Sequence, residues 1–214
     1  MQIDRLVLGS YENNCYIVRA DDRREECLII DTGLDGGPLI EFLRANALRP
    51  EALILTHGHA DHVAGVCDVR REFPDVKVCI HKSDASMLVD SGRNLSSFAG
   101  QKIVCGEADV VFEDEGAICY AGVEFEIIHT PGHTEGGICL YNKAEGVLFS
   151  GDSLFAGSIG RTDFPGYDTQ KRFEELVSNI KSKLAVLPAE TRVFSGHGPA
   201  TTIRNEKKHN PYLR

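Results

Sequence analysis

The chain predicts an α/β protein in which two mixed sheets pack together with helices outside. Short apolar runs alternate with helix-like periodicities at both ends of the sequence, and hairpin-like strand runs fill the middle. Ligand-type residues also recur where predicted strands stop, which is where open α/β sheets place their chemistry. Residues 2–8, 14–19 and 27–31 read as strands, the third closed by Asp31-Thr32-Gly33. Leu39, Ile40 and Leu43 recur at helical spacing, predicting a helix over 38–47. The apolar run Ala52-Leu53-Ile54-Leu55 reads as a short parallel strand. A helix is expected from 61 to about 73, with Val63, Val66, Val69 and Phe73 on one face. Strand 76–80 and a helix near 83–88 follow. Strands are expected at 109–112, 116–120, 123–128, 137–141 and 146–149. A helix over 169–184 carries Phe173, Leu176, Val177, Ile180 and Leu184 on one side. Strand 191–195 and a terminal helix complete the chain.

The bulk properties narrow the function classes. With 214 residues and no linker, repeat or low-complexity segment, one domain over 1–214 is expected. An apolar fraction of 42% and a charged fraction of 26% are those of a soluble globular protein. The formal charge of −9, without a basic block, argues against a nucleic-acid partner. No apolar run approaches the ~20 residues of a membrane span, and the N-terminus reads as a strand rather than a signal peptide. A cytosolic location without a membrane partner is the expectation. The seven cysteines are never closer than twelve residues and form no Cys-x-x-Cys pair. All are read as small packing groups. Nothing marks an oligomeric state.

Thr56-His57-Gly58-His59-Ala60-Asp61-His62 holds three imidazoles and a carboxylate in six residues. Imidazole is the commonest transition-metal ligand at neutral pH, and no structural need accounts for this density. Three further positions pair a ligand-capable side chain with glycine after a predicted strand. They are His133 in His129-Thr130-Pro131-Gly132-His133, Asp152 in Gly151-Asp152, and His197 in Gly196-His197-Gly198. Imidazoles and carboxylates without thiolate suit Zn, Fe or Mn. Of the remaining histidines, His81 is expected to cap the helix that follows it, His129 to take an outer-shell or core role, and His209 to lie at the surface or pack. Asp31 is expected to support the ligand loop.

The His-x-His-x-Asp-His pattern with downstream His, Asp and His resembles the metallo-β-lactamase superfamily, from about Leu6 to the C-terminus. The resemblance implies a four-layer αββα sandwich with the site at one edge. It implies two divalent ions, most readily zinc, with Fe or Mn as alternatives. His57, His59 and His133 would hold one ion, Asp61, His62 and His197 the other, and Asp152 would bridge them. A metal-bridging hydroxide would then be the nucleophile, with Asp61 orienting it as well as ligating. No separate general acid is evident, which favours a thiolate leaving group, since thiols ionise near pH ~8.5. Phe155-Ala156-Gly157-Ser158-Ile159-Gly160-Arg161-Thr162-Asp163-Phe164 resembles both short bacterial glyoxalase II-type hydrolases and persulfide dioxygenases. The C-terminal segment, Ser195 to Ile203 with Glu206 and Asn210-Pro211-Tyr212-Leu213, is most similar to the hydrolases. The expected substrate is therefore a small hydroxyacyl thioester such as S-lactoylglutathione. Arg161 is a candidate contact for its carboxylate or carbonyl, or else a salt-bridge partner of Asp163 or Asp168. The alternative reading is a mononuclear iron persulfide dioxygenase.

Overall fold

A computed structural model describes residues 1–113 and 115–214. Its N-terminal sheet takes the order β1 (Gln2–Leu8), β2 (Asn13–Arg19), β3 (Glu26–Ile30), β4 (Arg49–Ile54), β5 (Lys77–His81), β6 (Val110–Phe112). The first three strands pair antiparallel and the last four parallel. The C-terminal sheet holds β7 (Glu115–Tyr120), β8 (Val123–His129), β9 (Ile138–Asn142), β10 (Val147–Gly151), β13 (Arg192–Ser195) and β14 (Thr201–Thr202). Its order is β14-β13-β10-β9-β8-β7. A small hairpin, β11 (Leu154–Phe155) and β12 (Ser158–Ile159), pairs with neither sheet and packs on the outer side of the second through Leu154 and Ile159.

Side-chain alternation along the strands builds three apolar layers. Val18, Leu28, Ile30 and Ile54 of the first sheet face Phe125, Ile127, Leu140 and Phe149 of the second, forming the layer between the sheets. On the other side of the first sheet, Ile17, Ile29, Leu53 and Val78 meet Leu39 and Leu43 of α1 (Gly37–Ala45) and Val66 and Val69 of α3 (Val66–Glu72). On the outer side of the second sheet, Tyr141, Leu148 and Val193 meet Leu176 of α4 (Thr169–Asn179), Ile180 and Leu184 of the turn after it, and Ile203 of α5 (Ile203–His209). The order is therefore helix, sheet, sheet, helix, as expected. Each fully buried aliphatic side chain contributes roughly 1.5–3 kcal/mol.

Three helices depart from the expectation, and the one expected near 83–88 is a single 3-10 turn, Ala85–Leu88. The single helix over 61–73 is broken into α2 (Ala60–Val63) and α3. The break falls at Ala64 and Gly65, where the Gly65 amide donates to Gly33 O at 3.1 Å and Thr32 Oγ1 at 3.0 Å instead of continuing one helix. The apolar face survives the break, since Val63, Val66 and Val69 are all buried. The helix over 169–184 ends as α at Asn179 and continues as one wide π turn, Ile180–Leu184. The cysteine expectation also needs correction. Cys67 and Cys119 are exposed, Cys67 on α3 and Cys119 on the edge strand β7, while the other five thiols are buried. Among the described residues no helix is long and apolar enough to cross a membrane.

Candidate metal centre

All seven candidate ligands lie at one edge of the sandwich because the strands that carry them end there. The β4 run continues through Leu55 and Thr56 into His57, and His59 stands at the N-terminus of α2, whose first turn carries Asp61 and His62. β8, β10 and β13 run in the same direction, since β8 and β10 each pair antiparallel with β9 and β13 pairs parallel with β10. Their C-terminal ends therefore present the His133 loop, Asp152 and His197 side by side.

The structure brings these residues into three overlapping groups whose ligand atoms lie within 4.8 Å of one another: His57, His59 and His133; His57, His62 and Asp152; Asp61, His62 and His197. His59 Nδ1 and His133 Nε2 approach to 2.9 Å. Asp61 Oδ2 lies 3.2 Å from His197 Nε2. The Asp152 carboxylate stands between the groups, with Oδ1 3.4 Å from His62 Nε2 and Oδ2 3.5 and 3.6 Å from His133 and His197 Nε2. Close packing of like basic rings is costly once any is protonated, so the arrangement needs anions or cations threaded through it.

Most of these rings have one nitrogen fixed by the fold, which directs the other inward. His62 Nδ1–H donates to Asp31 Oδ2 at 2.9 Å. His133 Nδ1–H donates to Arg161 O at 2.8 Å, and His197 Nδ1–H to Tyr11 O at 2.9 Å. Thr56 Oγ1 donates to Asp31 Oδ2 at 2.7 Å and accepts from His57 Nδ1 at 3.1 Å. His57 Nε2 and Asp152 Oδ1 are left buried without a hydrogen-bond partner. Buried polar atoms are rarely left so. Two orphaned lone pairs inside a His/Asp cluster fit divalent metal ions, and the donor set is the borderline-hard one such ions take.

Electrostatics separates the two ends of the cluster. Burial pushes His57 and His59 well below the ordinary imidazole range, and neighbouring histidines push the same way. His62 is also fully buried, yet Asp152, Asp31 and Asp61 outweigh the burial and raise it well above that range. Burial would raise Asp152, but His62, His133 and His197 hold it at about 2. Asp61 is likewise held well below the usual carboxylate range, chiefly by His62 and His197 acting against burial.

Several supporting residues escaped the sequence reading. Buried Asp84 accepts Gly58 N at 3.0 Å and Gly136 N at 2.7 Å, tying the first ligand loop to the His133 loop. Asn14 donates through Nδ2 to Ser195 O and Gly198 O at 2.8 and 3.0 Å, and Tyr16 OH to Ser195 O at 2.7 Å. These bonds fasten the His197 loop to the first sheet. No periodicity or motif marks them, since each works across a large sequence gap. Asp31 takes the supporting place expected of it, also accepting Thr56 N at 2.7 Å. His81 does not cap the helix after it. It is buried and stacks on His129 with ring centroids 4.2 Å apart. His129 instead donates through Nε2 to Glu135 O at 2.8 Å and touches no ligand ring. His209 is exposed and pairs with Asn205.

A cleft of about 650 Å³ opens over Asp61, Asp152 and His197, walled by Tyr11, Phe155 and Ile159. Arg161 lines it, exposed, with Nε 2.8 Å from Asp163 Oδ1 and its guanidinium 5.0 Å from the Phe164 ring centroid. The Phe164 ring covers His59 and His133, at centroid distances of 4.7 and 5.3 Å.

The profile of the Metallo-beta-lactamase superfamily matches residues 8–197. A probable metallo-hydrolase of Bacillus subtilis, YqgX, is 35% identical over 100% of this chain and 98% of its own. The hydroxyacylglutathione hydrolase GloC of Haemophilus influenzae is also 35% identical, over the same shares of both chains. Among solved structures, the B3 metallo-beta-lactamase BLEG-1 aligns with a TM-score of 0.91 at 39% identity, covering 99% of each chain. A di-iron-bound form of TTHA1623 aligns at 0.83 and 34% identity, over 98% of this chain and 100% of that one. With its profile, its relatives and its sandwich in agreement, the chain belongs to the metallo-beta-lactamase superfamily of metallo-hydrolases.

Proposed function

We propose that the protein hydrolyses hydroxyacyl thioesters such as S-lactoylglutathione to acid and thiol. The observation that carries this reading is a ligand cluster that consumes every imidazole and carboxylate facing the cleft. His59, Asp61, His133, Asp152 and His197 are the only such groups among the described lining residues, and each belongs to a ligand group. No further carboxyl or imidazole is left to protonate a departing amine or alkoxide. A thiolate needs no such donor, because thiols ionise near pH ~8.5. The name of the Haemophilus relative supports the same substrate class.

Two divalent ions at His57/His59/His133 and Asp61/His62/His197, bridged by Asp152, would supply a water-derived nucleophile at neutral pH and a Lewis acid for the carbonyl oxygen. We take zinc as the first choice, with iron supported by the di-iron relative. Asp61 accepts a hydrogen bond from the attacking water and aligns it. Asp31, through His62, fixes that ring's tautomer. Arg161 and Asp163 are both exposed, so their pair opens at little cost. The freed guanidinium then takes the carboxylate or carbonyl of the substrate. Phe155 and Phe164 exclude water from the bound acyl group. The location we propose is the cytoplasm, and the partner a small molecule.

The test is an assay of protein loaded with Zn, Fe or Mn against a thioester panel. Hydrolysis of S-lactoylglutathione, abolished by His59→Ala, is expected. Metal-replete protein inert towards the whole panel would defeat the proposal. Oxygen consumption with glutathione persulfide at one iron per chain would establish the dioxygenase reading instead, and turnover of β-lactams alone a lactamase.

A further inference from the structure

The buried carboxylate of Glu206 lies outside the candidate centre, and nothing in the hydrolytic chemistry uses it. It sits on α5 with no exposed surface. Oε1 accepts Thr201 Oγ1 at 2.6 Å and Asn205 Nδ2 at 3.0 Å. Oε2 accepts Gly157 N at 2.8 Å and Asn210 Nδ2 at 2.9 Å. All four partners are neutral. A buried carboxylate is costly unless hydrogen-bonded in full, and here the bonds outweigh the burial, holding Glu206 below its ordinary range. Replacing it with an isosteric amide puts an NH2 donor in place of one oxygen, where it faces another donor.

What the carboxylate grips is the hairpin β11–β12. Gly157 lies in its turn and Ser158 opens β12, and Asn210 Nδ2 donates to Ser158 O at 2.9 Å as well as to Glu206. That hairpin makes one wall of the cleft through Phe155, Ser158 and Ile159. Its next residue, Gly160, packs so closely on Asp152 that a Cβ there would collide with the Asp152 carbonyl, and it would stand 3.0 Å from His133 Nδ1. The residue after that, Arg161, supplies the carbonyl that fixes His133 Nδ1–H and the guanidinium at the cleft rim. The hairpin has only two residues in each strand and pairs with neither sheet. Two-stranded ribbons are marginal alone; Leu154 and Ile159 anchor its base in the outer core, while Glu206 and Asn210 hold the end that carries its turn.

We infer that Glu206, with Asn210, is a positioning residue: it clamps the 154–161 segment so that the cleft wall, Arg161 and the carbonyl orienting His133 stand where substrate and metal need them. The C-terminal segment and the Gly160–Asp163 segment, far apart in sequence, are on this account one device.

The experiment compares wild type, Glu206→Gln and Asn210→Ala, each loaded with zinc. Amide exchange over 154–161 should rise about tenfold or more in both variants, with β4 and β5 within about twofold of wild type. Zinc should be stripped by a chelator at about tenfold lower concentration, as expected when an outer-shell support is loosened. With the thioester that wild type turns over, KM should rise about tenfold while kcat falls less than about threefold, since binding contacts are displaced more than the reacting atoms. Should Glu206→Gln fail to fold, Asn210→Ala decides, because it spares the carboxylate and removes the Nδ2 bonds to Ser158 and Glu206 together with one local bond from Tyr212 N. Unchanged exchange at 154–161 overturns the inference. Raised exchange with unmoved zinc retention and an unmoved KM also overturns it, leaving a merely structural brace. The kinetic arm rests on the thioester reading; if wild type hydrolyses no thioester, that reading fails, while exchange and zinc retention still decide the role of Glu206.

Discussion

Four of the seven candidate ligands, His57, His59, Asp61 and His62, come from one six-residue segment that leaves β4 and forms α2, whereas His133, Asp152 and His197 come from three loops separated by tens of residues. The first half is largely local: β4 aims the chain and α2 turns Asp61 and His62 onto one side. The second half is assembled by contacts that cross the molecule, through Asp84 to Gly136, Asn14 and Tyr16 to Ser195, and the Arg161 carbonyl to His133. Ligand density in sequence and ligand precision in space thus have different sources. A compact turn concentrates donors, while long-range hydrogen bonds set where the partner donors stand.

The largest effect should come from removing the residue that joins the halves. Asp152→Ala is expected to lower thioester turnover by about a thousandfold or more and to reduce bound metal, measured on the same preparation. Equal loss of metal from both ligand groups fits a bridge, and loss of only one ion would assign Asp152 to a single group. Next comes crowding within each half. A Cβ at Gly196 would collide with Asp152 Oδ1 and lie 2.7 Å from His62 Cε1, whereas one at Gly58 would meet Met87, at 2.5 Å from Cβ and 2.8 Å from Sδ. The Met87 thioether can swing away while its Cβ requires a backbone shift, but neither is a ligand, whereas the Gly196 clash presses directly on two ligand groups. Gly196→Ala should therefore cost about a hundredfold in kcat/KM and Gly58→Ala about tenfold, by steady-state kinetics. Comparable costs would break the contrast.

The supports come third. Asp31→Asn removes the anion that receives His62 Nδ1–H and Thr56 Oγ1–H, and should weaken metal binding about 10- to 100-fold in a chelator competition. Asp84→Asn disturbs only the Gly58 and Gly136 amides and should cost less.

The smallest effect concerns alkali. Burial raises Cys27 and Cys105 to about 12 and Cys79 and Cys139 to about 11, and Cys15 well above its ordinary value. Four of these five thiols lie in the N-terminal half and only Cys139 in the second sheet. A raised thiol means that the folded chain keeps protons the unfolded chain loses, so stability falls as pH climbs from about 9 towards 11. Thermal melts should drop by several degrees over that range, with exchange rising first in β2, β3 and β5. At pH 8, alkylation of the native protein should reach only Cys67 and Cys119.

Much of this was legible in the sequence for a physical reason. Strand alternation and the Val63, Val66, Val69 face report burial directly, so the two sheets and the helix layers followed from pattern. The His57–His62 turn was legible because ligands concentrated in six residues have no structural motive. The break at Gly65 was hidden, because the apolar face runs across it unchanged. The hairpin β11–β12 was hidden too, being too short to show alternation. Asp84, Asn14 and Glu206 act on backbone groups 26 to 184 residues away, and a single sequence carries no trace of such pairings.

The central claim is one centre shared by two halves. Metal analysis joined to S-lactoylglutathione hydrolysis and oxygen uptake, on one preparation of wild type, tests it most directly. Two ions per chain with thioester hydrolysis and no oxygen uptake is the predicted result. One ion per chain with oxygen consumption and no hydrolysis would contradict it.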